Sequence, residues 1–210
     1  MMVRILLADD HHIVRQGLEF MIEDILGEFE IIHAASIQDI KEQFQTQALD
    51  FAILDAQLPD GNCLDILTEI SQQFPEVKIM VFSSFDEEIY ALRFIEAGAD
   101  GFLSKLSSEE EIKTALVQLF KNGQYHSPLT QALLKIQQHQ PNALNPLNQL
   151  SERELEIAKL YAKGFENLEI ANELSIKQNT VSTYKKRIYD KLGIDKLIDL
   201  IDLMKKYHDY

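Results

Sequence analysis

Five polar residues in the first half of the chain each follow or end a short apolar run. Asp9 and Asp10 follow VRILLA, Asp55 follows DFAIL, Ser83 closes VKIMVF, and Lys105 follows GFLS. Three carboxylates brought together repel one another unless a cation sits among them, and a hard divalent ion with oxygen ligands, Mg²⁺, is the natural occupant. If Asp55 accepted a phosphoryl group, that ion and the Lys105 ammonium would neutralise the transferring charge. The Ser83 hydroxyl would then be able to hydrogen-bond a phosphoryl oxygen. Singly, each residue has a plain structural reading: a helix cap, a solvated lysine, a turn serine. Five such types at five strand ends point instead to one site.

Neighbouring residues offer less. His11 and His12 stand beside two aspartates, but adjacent residues project differently at a helix start, and a soft-metal site wants further ligands. A phosphatase of the haloacid dehalogenase type also uses an aspartate after a strand, yet it wants a second one two residues later, where this chain has Gln57. Cys63, the single cysteine, has no partner for an internal disulfide and reads as a packing or surface residue of a helix.

The positioning elements are legible from Met2 to about Phe120. Five short apolar runs (VRILLA, EIIHAA, DFAIL, VKIMVF, GFL) alternate with helical stretches from about His11 to Leu26, Ile37 to Gln45, Asn62 to Gln73, Asp86 to Ala97 and Ser108 to Asn122. That alternation predicts an α/β fold, a doubly wound five-stranded parallel sheet covered on both faces, with function at the carboxyl ends of the strands. Gly98 and Gly123 read as C-caps, and Ser107 or Ser108 as the opening of the last helix. Residues 123–149 hold one charged residue, Lys135, three of the five prolines and a Gln/Asn cluster, and read as a linker with room for a short helix from Leu129 to Ile136.

From Ser151 onward the strand pattern stops and four helices are expected, a small all-α domain over 150–210. LSERELEIAKLYAKG opens on a capping box, Ser151 with Glu154. ENLEIANELSI and KQNTVSTYKKRIYDKLGI then read as two helices joined by a tight turn, the second basic on one face: a helix-turn-helix. Val181, Ile188 and Leu192 fall on its packing side, and Ser182, Thr183, Lys185, Lys186 and Tyr189 on the outward one. Lys177, Lys185, Lys186 and Arg187 have the charge to neutralise DNA phosphates, and Ser182, Thr183 and Lys186 the reach to touch base edges in a major groove.

Residues 2–122, through LLADDH, ILDAQLPDGNCLDIL, IMVFSS and GADGFLSK, resemble a CheY-like, flavodoxin-like receiver domain of bacterial two-component systems. Leu150 to about Leu203 is similar to the LuxR-type helix-turn-helix, so the whole chain resembles the NarL/LuxR (FixJ) subclass of response regulators. The resemblance implies that Asp55 is the phosphoacceptor for a sensor histidine kinase. It also implies that Asp10 and Asp55 ligate Mg²⁺, with Asp9 helping through water and Gln57 giving its backbone carbonyl, and that Ser83 and Phe102 form a switch pair, Phe102 turning inward once Ser83 is drawn to the phosphate. It further implies that Ser182, Thr183 and Lys186 read bases, that Thr180, Tyr184 and Lys185 touch phosphates, and that the last helix, Lys196 to Tyr207, pairs two copies through Leu197, Leu200, Ile201 and Met204 on two-fold related half-sites. The chain departs from many receivers in having Leu106 rather than proline after the lysine. Gln57 and Phe85 occupy positions that influence dephosphorylation in such domains.

A net charge of −14 opposes nucleic-acid binding only until it is divided along the chain. Residues 1–125 carry 8 Lys/Arg against 23 Asp/Glu, the rest 12 against 11, and Lys177–Lys191 alone five against one. The acidity belongs to the first half and a local basic helix to the second. With 46% hydrophobic and 26% charged residues the chain reads as folded rather than disordered. No apolar run suits a membrane helix and the N-terminus turns acidic too early for a signal peptide, so a cytoplasmic protein with no membrane partner is expected. The expected role is a phosphorylation-controlled transcription factor, with a histidine kinase, double-stranded DNA, RNA polymerase and a second copy of itself as candidate partners. It is not an enzyme beyond self-phosphorylation and slow hydrolysis. The rival reading is a receiver that no longer signals through phosphate and serves as a scaffold on a constitutive DNA binder.

Overall fold

A computed structural model describes residues 2–139 and 145–207. The expected linker residues 140–144 and the expected domain end 208–210 lie outside the described residues. The chain divides into two compact units between Leu134 and Lys135.

The first unit is built on strands β1 (Val3–Ala8), β2 (Phe29–Ala34), β3 (Phe51–Leu54), β6 (Lys78–Ser83) and β7 (Gly101–Ser104), and a two-residue antiparallel pair, β4 (Gln57–Leu58) with β5 (Gly61–Asn62), follows the third of them. The five pair in parallel in the order β2-β1-β3-β6-β7. Helices α1 (His12–Glu23), α2 (Ile37–Thr46), α3 (Leu64–Gln73) and α4 (Glu87–Glu96) connect them, and α5 (Glu109–Asn122) follows the last strand. Successive strand residues point to opposite faces, and the sequence uses this to fill two cores. Leu6, Ala8, Leu54, Ile79, Val81 and Phe102 join Ile40 and Phe44 of α2, Leu67 and Ile70 of α3, and Phe94 of α4. Ile5, Leu7, Ile53, Met80, Phe82 and Leu103 join Leu18 and Ile22 of α1 and Ile112, Leu116 and Leu119 of α5. Because both faces are covered, the strands read as continuous apolar runs.

Local signals fix the ends. Ser108 and Glu111 form the capping box of α5, and Gly123 ends that helix in the left-handed region at φ 72°. Asp60, in the β4–β5 turn, accepts from the Ile37 and Gln38 amides at 2.7 and 3.0 Å, capping α2 from outside. Gly98 has φ 112°, and a Cβ there would lie 2.1 Å from Ser71 Oγ, so only glycine fits.

The expected linker is shorter than its composition suggested. Tyr125 forms a bridge to Gly101 at the sheet edge and packs into the core beneath α5. Helix α6 (Pro128–His139) begins at once, longer at both ends than the expected Leu129–Ile136. Its first turn is held to α4: Thr130 Oγ1 donates to Glu87 Oε1 at 2.7 Å, and Ser127 Oγ donates to the same oxygen. Thr130 is fully buried. Thr130→Val keeps the shape but removes a donor to a charged acceptor, and it should cost the first unit about 1–3 kcal/mol in urea unfolding.

The second unit contains a 3-10 turn, Pro146–Gln149, then α7 (Glu152–Ala162), α8 (Asn167–Glu173), α9 (Gln178–Leu192) and α10 (Leu197–Tyr207). Its core joins Leu147, Ile157, Ala158, Tyr161, Ile170, Ala171, Val181, Ile188, Leu200 and Met204. Two expectations are corrected here. Leu147, assigned to the linker, is a core residue. Leu200 and Met204, assigned to a dimer face, are fully enclosed within the chain's own core, and Leu197 packs partly against it. Of the four, only Ile201 lies outside this core.

Candidate functional site

The strand order brings the sequence-predicted acidic residues together at the carboxyl edge of the sheet. Lys105 Nζ lies 2.6 Å from Asp9 Oδ2 and 2.6 Å from Asp55 Oδ2, bridging two buried carboxylates. Their other oxygens face elsewhere. Asp9 Oδ1 accepts from the His11 amide at 2.9 Å, and Asp55 Oδ1 from the Gln57 amide at 3.4 Å. Asp9, Asp10, His11 and Asp55 each offer one ligand atom, all within 4.8 Å of one another. His11 Nδ1 stands 2.8 Å from Asp10 Oδ1, so the histidine set aside on sequence grounds does turn towards the acids.

Burial pushes the Asp55 carboxyl above its ordinary pKa, and the hydrogen bond and charge of Lys105 only partly offset this. For Lys105, burial works against the charge, but hydrogen bonds to Asp55 and Asp9 outweigh it and raise its pKa. Cys63 is buried, and burial with the charges of Asp55 and Asp65 pushes its thiol up to about 12. It is therefore inert as a nucleophile near neutral pH.

Ser83 is buried at the end of β6, its Oγ accepting from the Phe85 amide at 3.2 Å. Phe102 is already fully enclosed, stacked on Phe94 with ring centroids 5.9 Å apart. The expected inward turn of Phe102 thus has no outward starting point in this state. Sequence reasoning missed Arg15, whose guanidinium donates to the Asp9 backbone carbonyl from one turn into α1. Its signal was helical spacing: a cation four residues beyond His11, where the helix opens, lies one turn above the strand end.

The match to known families decides what the chain is. Residues 5–117 match the response regulator receiver domain, and residues 148–204 match the luxR family of bacterial regulatory proteins. The chain is a response regulator. It is 30% identical to response regulator GacA of Pseudomonas aeruginosa, over 95% of this chain and 94% of that one. It is 32% identical to the oxygen regulatory protein NreC of Staphylococcus aureus, over 97% of each. Its fold is that of RcsB of Salmonella typhimurium, with a TM-score of 0.75 at 23% identity over 97% of this chain and 99% of that one. It belongs to the NarL/LuxR subclass, a receiver followed by a LuxR-type DNA-binding domain.

In the second unit of this regulator, α8 and α9 form the helix-turn-helix. The turn between them passes through Ser175 at φ 52°, with the Ile176 amide bonding back to the Ala171 carbonyl at 2.9 Å. On α9, Thr180, Ser182, Thr183, Lys186 and Arg187 are exposed, as is Lys177 at its start. Lys185, Tyr184 and Tyr189 are half-buried, so Lys185 and Tyr189 are both less outward than expected. Lys185 Nζ lies over the Tyr161 ring at 5.2 Å and the Tyr189 ring at 5.6 Å, and the Arg187 guanidinium over Tyr184 at 5.9 Å. The hydroxyls of Ser182 and Thr183 bond back to the carbonyls of Gln178 and Asn179 at 3.3 and 2.9 Å.

One of the five cations of this stretch is committed to the fold. Lys191 Nζ donates to Glu154 Oε2 at 2.6 Å and to the Gln149 carbonyl at 3.1 Å. Glu154 also closes the capping box with Ser151. Burial opposes the Glu154 charge, but Lys191 and Ser151 prevail and draw its pKa from 4.5 down to about 2. A depressed carboxylate stabilises the fold above its unfolded pKa and ceases to do so as pH falls through the folded value. Acid unfolding of the chain should therefore show the second unit losing about 1–3 kcal/mol between pH 4.5 and 2. Glu154→Gln should remove that dependence.

Proposed function

We propose that this response regulator takes a phosphoryl group on Asp55 from a sensor histidine kinase and that the modification controls its pairing and promoter binding. The observation that carries the reading is the Lys105 ammonium held 2.6 Å from both Asp9 and Asp55, which places a fixed cation beside the nucleophile. In the transfer, an Asp55 carboxylate oxygen forms a bond to phosphorus while the bond from phosphorus to the donor's nitrogen breaks. The leaving imidazole keeps that electron pair. Lys105 faces the developing charge, and Ser83, one strand away, accepts from the Phe85 amide and keeps its hydroxyl hydrogen to donate to a phosphoryl oxygen.

The donor set fits Mg²⁺: Asp9, Asp10 and Asp55 each bring a carboxylate oxygen to within 4.8 Å of the others, with a single ammonium, Lys105, shared by two of them. Asp10 and Asp55 would hold the ion, with Asp9 through water and the Gln57 carbonyl completing the shell. When bound, it supplies charge neutralisation to the phosphoryl oxygens.

Exposed Lys177, Thr180, Lys186 and Arg187 suit backbone contacts, with Thr183 and Lys186 nearest to a base-reading role. RcsB, whose fold this chain shares, has been seen as dimers bound to DNA, which supports promoter binding by a pair. With Leu200 and Met204 enclosed, the apolar surface left on α10 for a second copy includes Ile201, Leu203 and the exposed Ile198. Contact with RNA polymerase and a cytoplasmic location belong to this reading. No described helix is long and apolar enough to cross a membrane. Catalysis is confined to self-phosphorylation and slow hydrolysis.

The direct test is mass spectrometry of the intact chain after incubation with Mg²⁺ and acetyl phosphate. One added phosphoryl group is expected, and none in EDTA; an unlabelled chain that binds DNA equally with and without the donor would favour the scaffold reading. Lys105→Met should slow labelling about a hundredfold while leaving the acceptor in place.

A further inference from the structure

The recognition helix of a helix-turn-helix must be aimed closely, because base recognition fails with displacements of about half an ångström. In this chain the recognition helix α9 anchors Val181 and Ile188 in the domain core, but the helix before it is short. Helix α8 has seven residues and buries two of them, Ile170 and Ala171, and the turn that follows relies on a serine in the left-handed region. A directional polar connection crosses the same junction. The buried Tyr161 of α7 donates its hydroxyl to Asn167 Oδ1 at 2.8 Å, and Asn167 Nδ2 donates to Ser182 Oγ at 3.1 Å. Ser182 in turn donates to the Gln178 carbonyl at 3.3 Å. The chain of bonds runs from the domain core, through the first residue of α8, to the outward face of α9.

We infer that Asn167 is a positioning residue for DNA reading, setting the pose of α9 through Ser182, and that Ser182 serves this connection rather than acting as a free base reader. The assignment rests on the DNA-binding reading above. Its chemistry is specific. A serine hydroxyl has one hydrogen and two lone pairs, and here the hydrogen goes to Gln178 and one lone pair to Asn167. What remains for a base is a single acceptor. Asn167 is half-buried, its carbonyl taken by Tyr161 and one amide hydrogen by Ser182, so both ends of its side chain are committed within the domain. Hydrogen bonds weaken steeply with misalignment, which makes this connection selective for one α9 orientation where apolar contacts alone tolerate several.

The test uses the full chain and two DNA probes: duplexes enriched by the wild-type protein from a randomised pool, and a duplex of random sequence. Asn167→Ala should lower the ratio of selected to random-sequence affinity about tenfold while the slope of log affinity against log salt stays unchanged. Ser182→Ala should move the ratio the same way, and the double variant should be no worse than Asn167→Ala alone, the signature of one shared connection. If Asn167→Ala fails to fold, Tyr161→Phe, which removes only the hydroxyl, should still lower the ratio. A wild-type ratio in Asn167→Ala overturns the inference. So does an equal weakening on both probes with a salt slope shallower by about one, which would make Asn167 a phosphate contact. A wild-type chain that enriches no sequence would instead overturn the DNA-binding reading itself.

Discussion

Asp55→Asn is expected to abolish phosphoryl incorporation entirely, in a chain that stays folded. Asparagine matches the carboxylate in shape but presents a neutral amide, which is not a nucleophile towards phosphorus at neutral pH. The fold should tolerate it because Lys105 keeps its 2.6 Å contact with Asp9, and because burial already disfavours the Asp55 charge. A raised carboxylate pKa means that ionisation of Asp55 costs native stability above its unfolded pKa, so removing the charge relieves that cost. Loss of the Lys105 interaction works in the other direction, and the net change should stay within about 1 kcal/mol. Intact mass after acetyl phosphate and Mg²⁺ should show no adduct, and DNA affinity should become independent of the donor. A surviving adduct would move the acceptor to Asp9 or Asp10. Asp9 is the better placed of these two, since it shares the Lys105 ammonium.

The acidic site was legible because a parallel sheet converts sequence position into spatial position almost without freedom. Strands of four to six residues end at one edge, so the residue after each apolar run arrives at the same place. Asp9, Asp55, Ser83 and Lys105 needed no other information. The second unit was less transparent, because a helical apolar stripe does not say whose core it enters. Leu197, Leu200, Ile201 and Met204 share a stripe, yet Leu200 and Met204 close the chain's own core and leave only the margin of the stripe for a partner. Composition misled at the linker for a related reason. A charge-poor stretch rich in Gln and Pro reads as a linker with room for a short helix, whereas Tyr125 bridges to the sheet edge and Thr130 is buried against Glu87. Lys191 added to the basic charge counted over Lys177–Lys191, because charge is visible in sequence and its partner is not; Glu154 lies 37 residues away.

That distinction between cations sets the second large effect. Replacing Lys177, Lys186 and Arg187 together by alanine removes three exposed cations at the start and on the outward side of α9 while sparing Lys185, which sits over two tyrosine rings, and Lys191, which is tied to Glu154. Each cation removed from a phosphate should reduce the slope of log affinity against log salt by about 0.9, so the triple variant should lose up to about 2.7 per bound protomer and bind all duplexes about a hundredfold or more weaker. Because these interactions do not depend on base identity, discrimination between selected and random duplexes should change far less than affinity does. Lys191→Ala should behave oppositely, lowering stability with little direct effect on the slope. Titrations across salt concentration therefore separate the cations that meet DNA from the one that holds the domain. An unchanged slope in the triple variant would place the DNA on some face other than the exposed side of α9.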